Sequence, residues 1–290
     1  MAKSLSRTGP FPMLMNTLLD AAGVLFFCTA SLLAVISLVA AHPHRLARPA
    51  VFWLVGLGCA SLLSALVVQG VSTGRIVPLL NRFDATAVYS VFLMIAGMFF
   101  LRSRRTQGVM AILAPFATVL LALCLPSSGA KAAPVPHAVP GAALVLHLVA
   151  AFAGYSVFSL ASILGCAYLI QDHNLKHRHF GTIFERLPAL ETLDHLISRL
   201  IGIALLLLTI SLVLGFYLIY ESGSGPEWFS DPKVVATMVT WAICALLVHM
   251  CANVGQHGRR VALLAVIGLI FVLFSMVGIH QLANSIHDFV

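Results

Sequence analysis

Runs of about 20 mostly apolar residues recur along the whole chain, broken by short polar or Pro/Gly-containing stretches, and each is long enough to carry a helix across a bilayer. Lipid offers no partners to backbone N–H and C=O groups, so exposed ladder edges are excluded for runs that are apolar on every side. Spans are predicted near 17–41, 50–71, 85–101, 109–125, 142–170, 200–220, 234–251 and 261–286. The third and fourth lie near the lower length limit. The expected fold is all-α, a polytopic transmembrane helix bundle of about eight spans forming one integral membrane domain over 1–290. With 60% hydrophobic residues, 9% charged residues and a mean hydropathy of +1.00, the chain is too apolar for a soluble domain. Lys3 and Arg7 precede an apolar stretch ending in Ala40 and Ala41, as in a secretory signal, but about 25 apolar residues exceed a signal core, so this stretch is read as a helix.

A formal charge of +7 could suggest nucleic acid, yet sorting the cations by loop explains it better. On alternate loops, Arg45, Arg48, Arg102, Arg104, Arg105, Lys176, Arg178, Arg186, Arg199, Arg259 and Arg260 fall together, and only Lys3, Arg7, Arg75, Arg82, Lys131 and Lys233 fall on the other side. The positive-inside bias places both termini and the loops near 72–84, 126–141 and 221–233 outside the cytoplasm, with Lys3 and Arg7 running against it. The expected environment is the lipid bilayer of a bacterial cytoplasmic (inner) membrane, favoured by short loops and missing transit features; no nucleic-acid partner is expected.

Cys28, Cys59, Cys124, Cys166, Cys244 and Cys251 all fall inside predicted spans and form no C-x-x-C pair, so they read as small apolar packing residues. The longest cytoplasmic connection runs from Gln171 to Arg199. Its second part, near 186–199, has Leu190, Leu193, Leu196, Ile197 and Leu200 at helical spacing and reads as an amphipathic helix at the membrane surface, with Pro188 and Glu191 suited to its start.

Twelve histidines stand against ten acidic residues, and their placement is more telling than their number. His147 comes a few residues into the fifth span and His287 follows the eighth, so the topology brings both to the outer leaflet. There they could supply both axial nitrogens to one heme iron, or be interfacial side chains that bond water or backbone carbonyls. His280 is the reserve candidate. His249 lies about 24 Å down the seventh span from Lys233, at about 1.5 Å per residue, where an ionisable group implies a partner or a pathway, or else a helix–helix hydrogen bond. His42, His44, His173, His177, His179 and His257 sit in loops beside cations and read as solvated.

The outer loop 221–233 places Trp228 and Phe229 beside Asp231, Pro232 and Lys233. The aromatic pair could anchor the membrane interface or cover one face of a porphyrin, with Lys233, Arg75 or Arg82 available to propionates. The chain has no G-x-x-x-x-G-K-[ST], G-x-S-x-G or H-E-x-x-H motif and no paired intramembrane carboxylates, so hydrolase, ATPase and proton-pump readings lack their groups.

Several segments resemble one known family. Glu185-Arg-Leu-Pro-Ala-Leu-Glu-Thr-Leu-Asp-His-Leu-Ile-Ser-Arg-Leu-Ile-Gly202, followed by Leu207-Leu-Thr209 and Gly215, looks like the stretch before and within the sixth helix of the cytochrome c assembly heme-handling membrane proteins, the CcsA/ResC type and its HemX-like relatives. Gly74-Arg-Ile-Val-Pro-Leu-Leu-Asn81 resembles the first outer loop of that family, and His147 with Gly154-Tyr155 resembles the start of its fifth helix. The resemblance implies that His147 and His287 are the external heme ligands, that His249 after Thr240-Trp241 lines the route of heme outward, and that Trp228, Asp231, Pro232 and Lys233 represent the tryptophan-rich loop. Heme b would be bound or transported, and the partners would be a second membrane protein of the assembly machinery and apocytochrome c. The loop departs from the full heme-lyase pattern, with Glu, Pro and Gly where further tryptophans would stand. HemX-like members share this reduced loop, and their role has been connected with heme supply and control of heme synthesis.

Three readings follow. The first is heme binding and delivery across the membrane for cytochrome c maturation, the chain being no enzyme alone but the heme-presenting part of a lyase complex. The second is a HemX-like regulator acting through residues 171–199. The third is a small-molecule permease in which the histidines only pack helices.

Overall fold

The structure, a computed structural model, describes residues 10–40, 47–74, 79, 81–103, 106–127, 141–179, 181–221, 231–252 and 258–274. Among these residues there is no strand. The helices are α1 (Pro10–Val39), α2 (Ala47–Thr73), α3 (Arg82–Phe100), α4 (Met110–Cys124), α5 (Gly141–Lys176), the short α6 (Thr182–Arg186), α7 (Leu190–Glu221), α8 (Pro232–Ala252) and α9 (Arg259–Leu273). Among the described residues, seven stretches are long and apolar enough to cross a membrane: Met13–Val39, Pro49–Thr73, Arg82–Phe100, Met110–Ser127, Gly141–Lys176, Leu190–Glu221 and Val234–Ala252. The chain is a helical membrane protein. The eighth expected span begins as α9, and its remainder lies outside the described residues.

Residues 190–199, expected as a helix on the membrane surface, are instead the opening turns of α7, which runs unbroken through the sixth span. The apolar stripe read there faces other helices: Leu193, Ile197 and Leu200 are fully buried or nearly so. Just before it, the Arg186 guanidinium donates to the carbonyls of Ser37 and, at 2.5 Å, of Ala40, closing the C-terminal end of α1 where backbone acceptors have no helical partner. Gly108 lies so close to the Arg186 carbonyl that no side chain fits there, and Asp194 Oδ1 accepts the N–H of Gly258 at 2.8 Å. These ties define one end of the bundle, the Arg186 end. The α2–α3 and α7–α8 connections define the other.

Consecutive spans are antiparallel and packed through small residues, as expected where lipid is as apolar as a leucine side chain and close backbone approach supplies the attraction. Along α5 and α9, Ser162 donates to the Ala265 carbonyl at 2.7 Å, and a methyl group at Gly268 would lie 2.5 Å from Phe158 Cζ. In the α1–α2 pair, Phe27 fills the space over Gly58 while Leu62 fills that over Gly23, where a methyl would come within 2.7 Å. Each helix thus offers one knob and one hole.

The sequence showed no intramembrane carboxylate pair, and the structure corrects this. Asp20 on α1 and Asp84 on α3 are both buried and close enough to interact electrostatically. They come from separate spans, so no local spacing betrays them. Asp84 also forms a capping box with Asn81 and accepts from Gln69 Nε2 at 2.8 Å, while Asn16 Nδ2 donates to Gln69 Oε1 at 3.2 Å.

Candidate functional site

α5 is the hub of the bundle, packed against α3, α7 and α9. His147 lies two turns into it, at the end opposite Arg186, and is half-buried against α7. Its Nδ1 lies 2.8 Å from the Ser211 carbonyl oxygen and 3.4 Å from Ser211 Oγ. A carbonyl oxygen only accepts, so Nδ1 carries the hydrogen, and in the neutral ring the lone pair resides on Nε2. Ser211 is itself buried, and its hydroxyl lies 3.4 Å from the His147 carbonyl, so one residue of α7 holds both backbone and ring of its neighbour.

The ring rests over Gly215. A methyl group there would lie 3.0 Å from His147 Cε1 and 3.4 Å from Nδ1, tighter than ordinary carbon contact. Two turns further along α5, Gly154 faces Leu208 of α7, where a methyl would come within 2.9 Å of Leu208 Cδ2 and 3.2 Å of its backbone nitrogen.

Asp231 occupies the N-cap position of α8, its carbonyl accepting from Val235 N at 3.0 Å, with Pro232 at the first helical position, and its side chain is buried. It lies at the same end of the bundle as His147. α8 is tied to the site helices by Tyr155, whose hydroxyl lies 2.6 Å from Thr237 Oγ1, and by Trp241, whose indole N–H donates to Thr209 Oγ1 at 2.8 Å. His249 sits near the far end of α8 on an exposed face, so the structure separates it from His147 by most of the length of the helix. Trp228, His280 and His287 lie outside the described residues.

Ser211 and Thr237 had no role in the sequence reading, and Tyr155 entered it only through the family motif with Gly154. The signal that could have found Ser211 is register: if Gly154 packs on α7, the helix geometry carries His147, seven residues earlier, to a point two turns further along α7, beside Ser211 and Gly215. Among the described residues no three His, Cys, Asp or Glu side chains gather as a site for a bare metal ion. A single histidine with its ring hydrogen fixed by a backbone carbonyl suits an axial ligand of a metal carried by its own macrocycle, because ligating histidines regularly donate their other N–H in this way.

The fold and site thus define a polytopic helical membrane protein with a histidine held between two of its spans near one face of the bundle. Residues 79–287 match the cytochrome C assembly protein family, and the chain belongs to it. Among curated relatives it is 26% identical over 251 residues to the cytochrome c biogenesis protein CcsA of Guillardia theta, covering 80% of this chain and 83% of that one. It is 29% identical over 223 residues to CcsA of Porphyra purpurea, covering 65% and 70%, and 26% identical over 284 residues to CcsA of Prochlorococcus marinus (strain MIT 9303), covering 84% and 89%.

Proposed function

We propose that this chain acts in cytochrome c biogenesis by binding heme and delivering it across the membrane, with His147 Nε2 as one axial ligand and His287 as the other. The observation that carries this reading is the hydrogen bond from His147 Nδ1 to the Ser211 carbonyl, which puts the lone pair of the neutral ring on Nε2, the nitrogen that this reading assigns to iron. The cations support the orientation: Arg102, Lys176, Arg178, Arg186, Arg199, Arg259 and Arg260 all belong to the Arg186 end, which is then cytoplasmic, and His147 faces the opposite side. The membrane is proposed to be the bacterial cytoplasmic membrane.

Heme is the cargo, and its iron supplies two axial positions for nitrogen ligands. The chain orients one imidazole in advance, so less ordering is needed when the cargo arrives. On this reading His249, exposed near the far end of α8, serves the route from the cytoplasmic side, Trp228 flanks the porphyrin, and Asp231 fixes the start of α8 beside the site. The acceptor is apocytochrome c, guided by a partner membrane protein; this chain offers no thiol pair for the attachment chemistry. The regulator reading needs residues 171–199 as a docking surface; there Arg186, Leu187 and Pro188 are engaged within the bundle or buried, while His177, Arg178, His179 and Glu185 are exposed.

The test is the absorption spectrum of protein purified in mild detergent, wild type against a His147→Ala, His287→Ala double variant. A low-spin bis-histidine spectrum lost in the variant is expected. Colourless protein in both cases, persisting after heme addition, would remove the ligand assignment.

A further inference from the structure

The packing of α5 on α7 shares with that of α1 on α2 a reciprocal knob-and-hole scheme, spaced seven residues apart on each helix instead of four. In the first pair the knobs are Phe27 over Gly58 and Leu62 over Gly23. In the second they are Leu208 over Gly154 and His147 over Gly215. An imidazole therefore occupies a hole of the kind that receives an apolar knob elsewhere in the same bundle. Such a hole attracts any side chain of suitable size; what distinguishes this one is the polar anchor inside it. The carbonyl of Ser211 points along the helix axis toward residue 215, and the ring that rests on Gly215 is thereby aligned to donate to it.

We propose that Gly154 and Gly215 are positioning residues for heme ligation: Gly154 sets the height of α5 on α7, and Gly215 gives the clearance that lets the His147 ring bond the Ser211 carbonyl through Nδ1 and present Nε2 to iron. This rests on the reading of His147 as an axial ligand. A methyl at 215 pushes on Cε1 and Nδ1, the atom that donates, so the ring must move by a few tenths of an ångström or turn out of the hydrogen bond. Either movement displaces Nε2 as well, because the imidazole is rigid. A methyl at 154 meets the backbone nitrogen of Leu208 in addition to its flexible side chain, so there the helix itself must shift.

The experiment uses the full chain in detergent, titrated with hemin, in wild type, Gly215→Ala, His147→Gly and the double variant His147→Gly, Gly215→Ala, the last two with and without added imidazole. Gly215→Ala is expected to weaken heme binding by about 10-fold or more, the usual range when a ligating histidine loses the partner of its other ring nitrogen, and to shift the spectrum from low spin toward high spin. Imidazole is expected to restore the low-spin spectrum equally in His147→Gly and in the double variant, because an untethered ring can settle beside the methyl. A Gly215→Ala protein indistinguishable from wild type overturns the proposal, as does a double variant that imidazole cannot rescue while it rescues His147→Gly. If His147→Gly keeps the wild-type spectrum without imidazole, the ligand assignment itself falls. A heme-free measurement covers the case in which Gly215→Ala is unstable: thermal unfolding of Gly215→Ala in the wild-type and His147→Ala backgrounds. Loss of stability confined to the background that has the ring supports the clash; an equal loss in both overturns it.

Discussion

Tyr89 of α3 and Ser159 of α5 meet in the interior of the bundle, their hydroxyl oxygens 2.6 Å apart, and Ser156 donates to the Tyr89 carbonyl at 3.1 Å. Both helices therefore carry polar groups that only the other helix satisfies. Tyr89→Phe is expected to destabilise the protein by about 0.6 to 1.7 kcal/mol, the span of measured interhelical hydrogen bonds in membranes. Ser159→Ala should cost a similar amount, and the double variant less than the sum. A double-mutant cycle by thermal unfolding in lipid–detergent micelles checks this; strict additivity would mean that the pair contributes nothing.

Arg186→Ala is expected to leave the last carbonyls of α1 without their partner and to cost about 1.5 to 3 kcal/mol, the usual range for hydrogen bonds to a charged group, with water at the surface recovering part of it. Arg186→Lys should recover only part of the loss, because one ammonium cannot reproduce a planar fork that reaches two carbonyls. Proteolytic sensitivity of the segment around 181–189 in membranes reports the difference.

Gly258 sits at φ +81°, donates to Asp194, and has the Tyr168 hydroxyl where its side chain would be. Gly258→Ala is expected to cost more than the roughly 1 to 3 kcal/mol of backbone strain alone, since its φ and ψ fall in a region populated essentially by glycine. Asp194→Asn keeps an acceptor oxygen and should be mild, whereas Asp194→Ala should not. Unfolding midpoints of the three variants order these effects.

His249 and His147 lie toward opposite ends of the spans, so their substitutions are expected to differ in kind. His249→Ala should reduce the heme that co-purifies from cells yet leave the spectrum unchanged once heme is added to purified protein. His147→Ala should fail in both assays. Pyridine hemochrome quantitation of isolated and reconstituted protein separates them; equal failure of both variants after reconstitution would place His249 in the same site.

Much of this architecture is legible in the sequence because a bilayer imposes a length and a composition on each span. Seven apolar runs became helices close to the expected positions, and His147 stood out from the topology alone. What the sequence concealed depends on how helices meet. The leucines near 190–199 have the same periodicity on a surface helix as on the buried first turns of α7, and only the packed structure tells the two apart. The proximity of Asp20 to Asp84 and of His147 to Ser211 depends on register between separate spans, which no local pattern encodes.

The guanidinium that closes α1 belongs to a residue made 149 positions after Ser37 and 146 after Ala40. At about 5–20 residues per second, the first helix waits about 7 to 30 s after its own synthesis before that partner leaves the ribosome. Until then the last carbonyls of α1 must be satisfied by water at the membrane surface. The hairpin of α1 and α2 can insert early and pack on α3 and α4 as these emerge, but closing the C-terminal end of α1 waits for a single arginine.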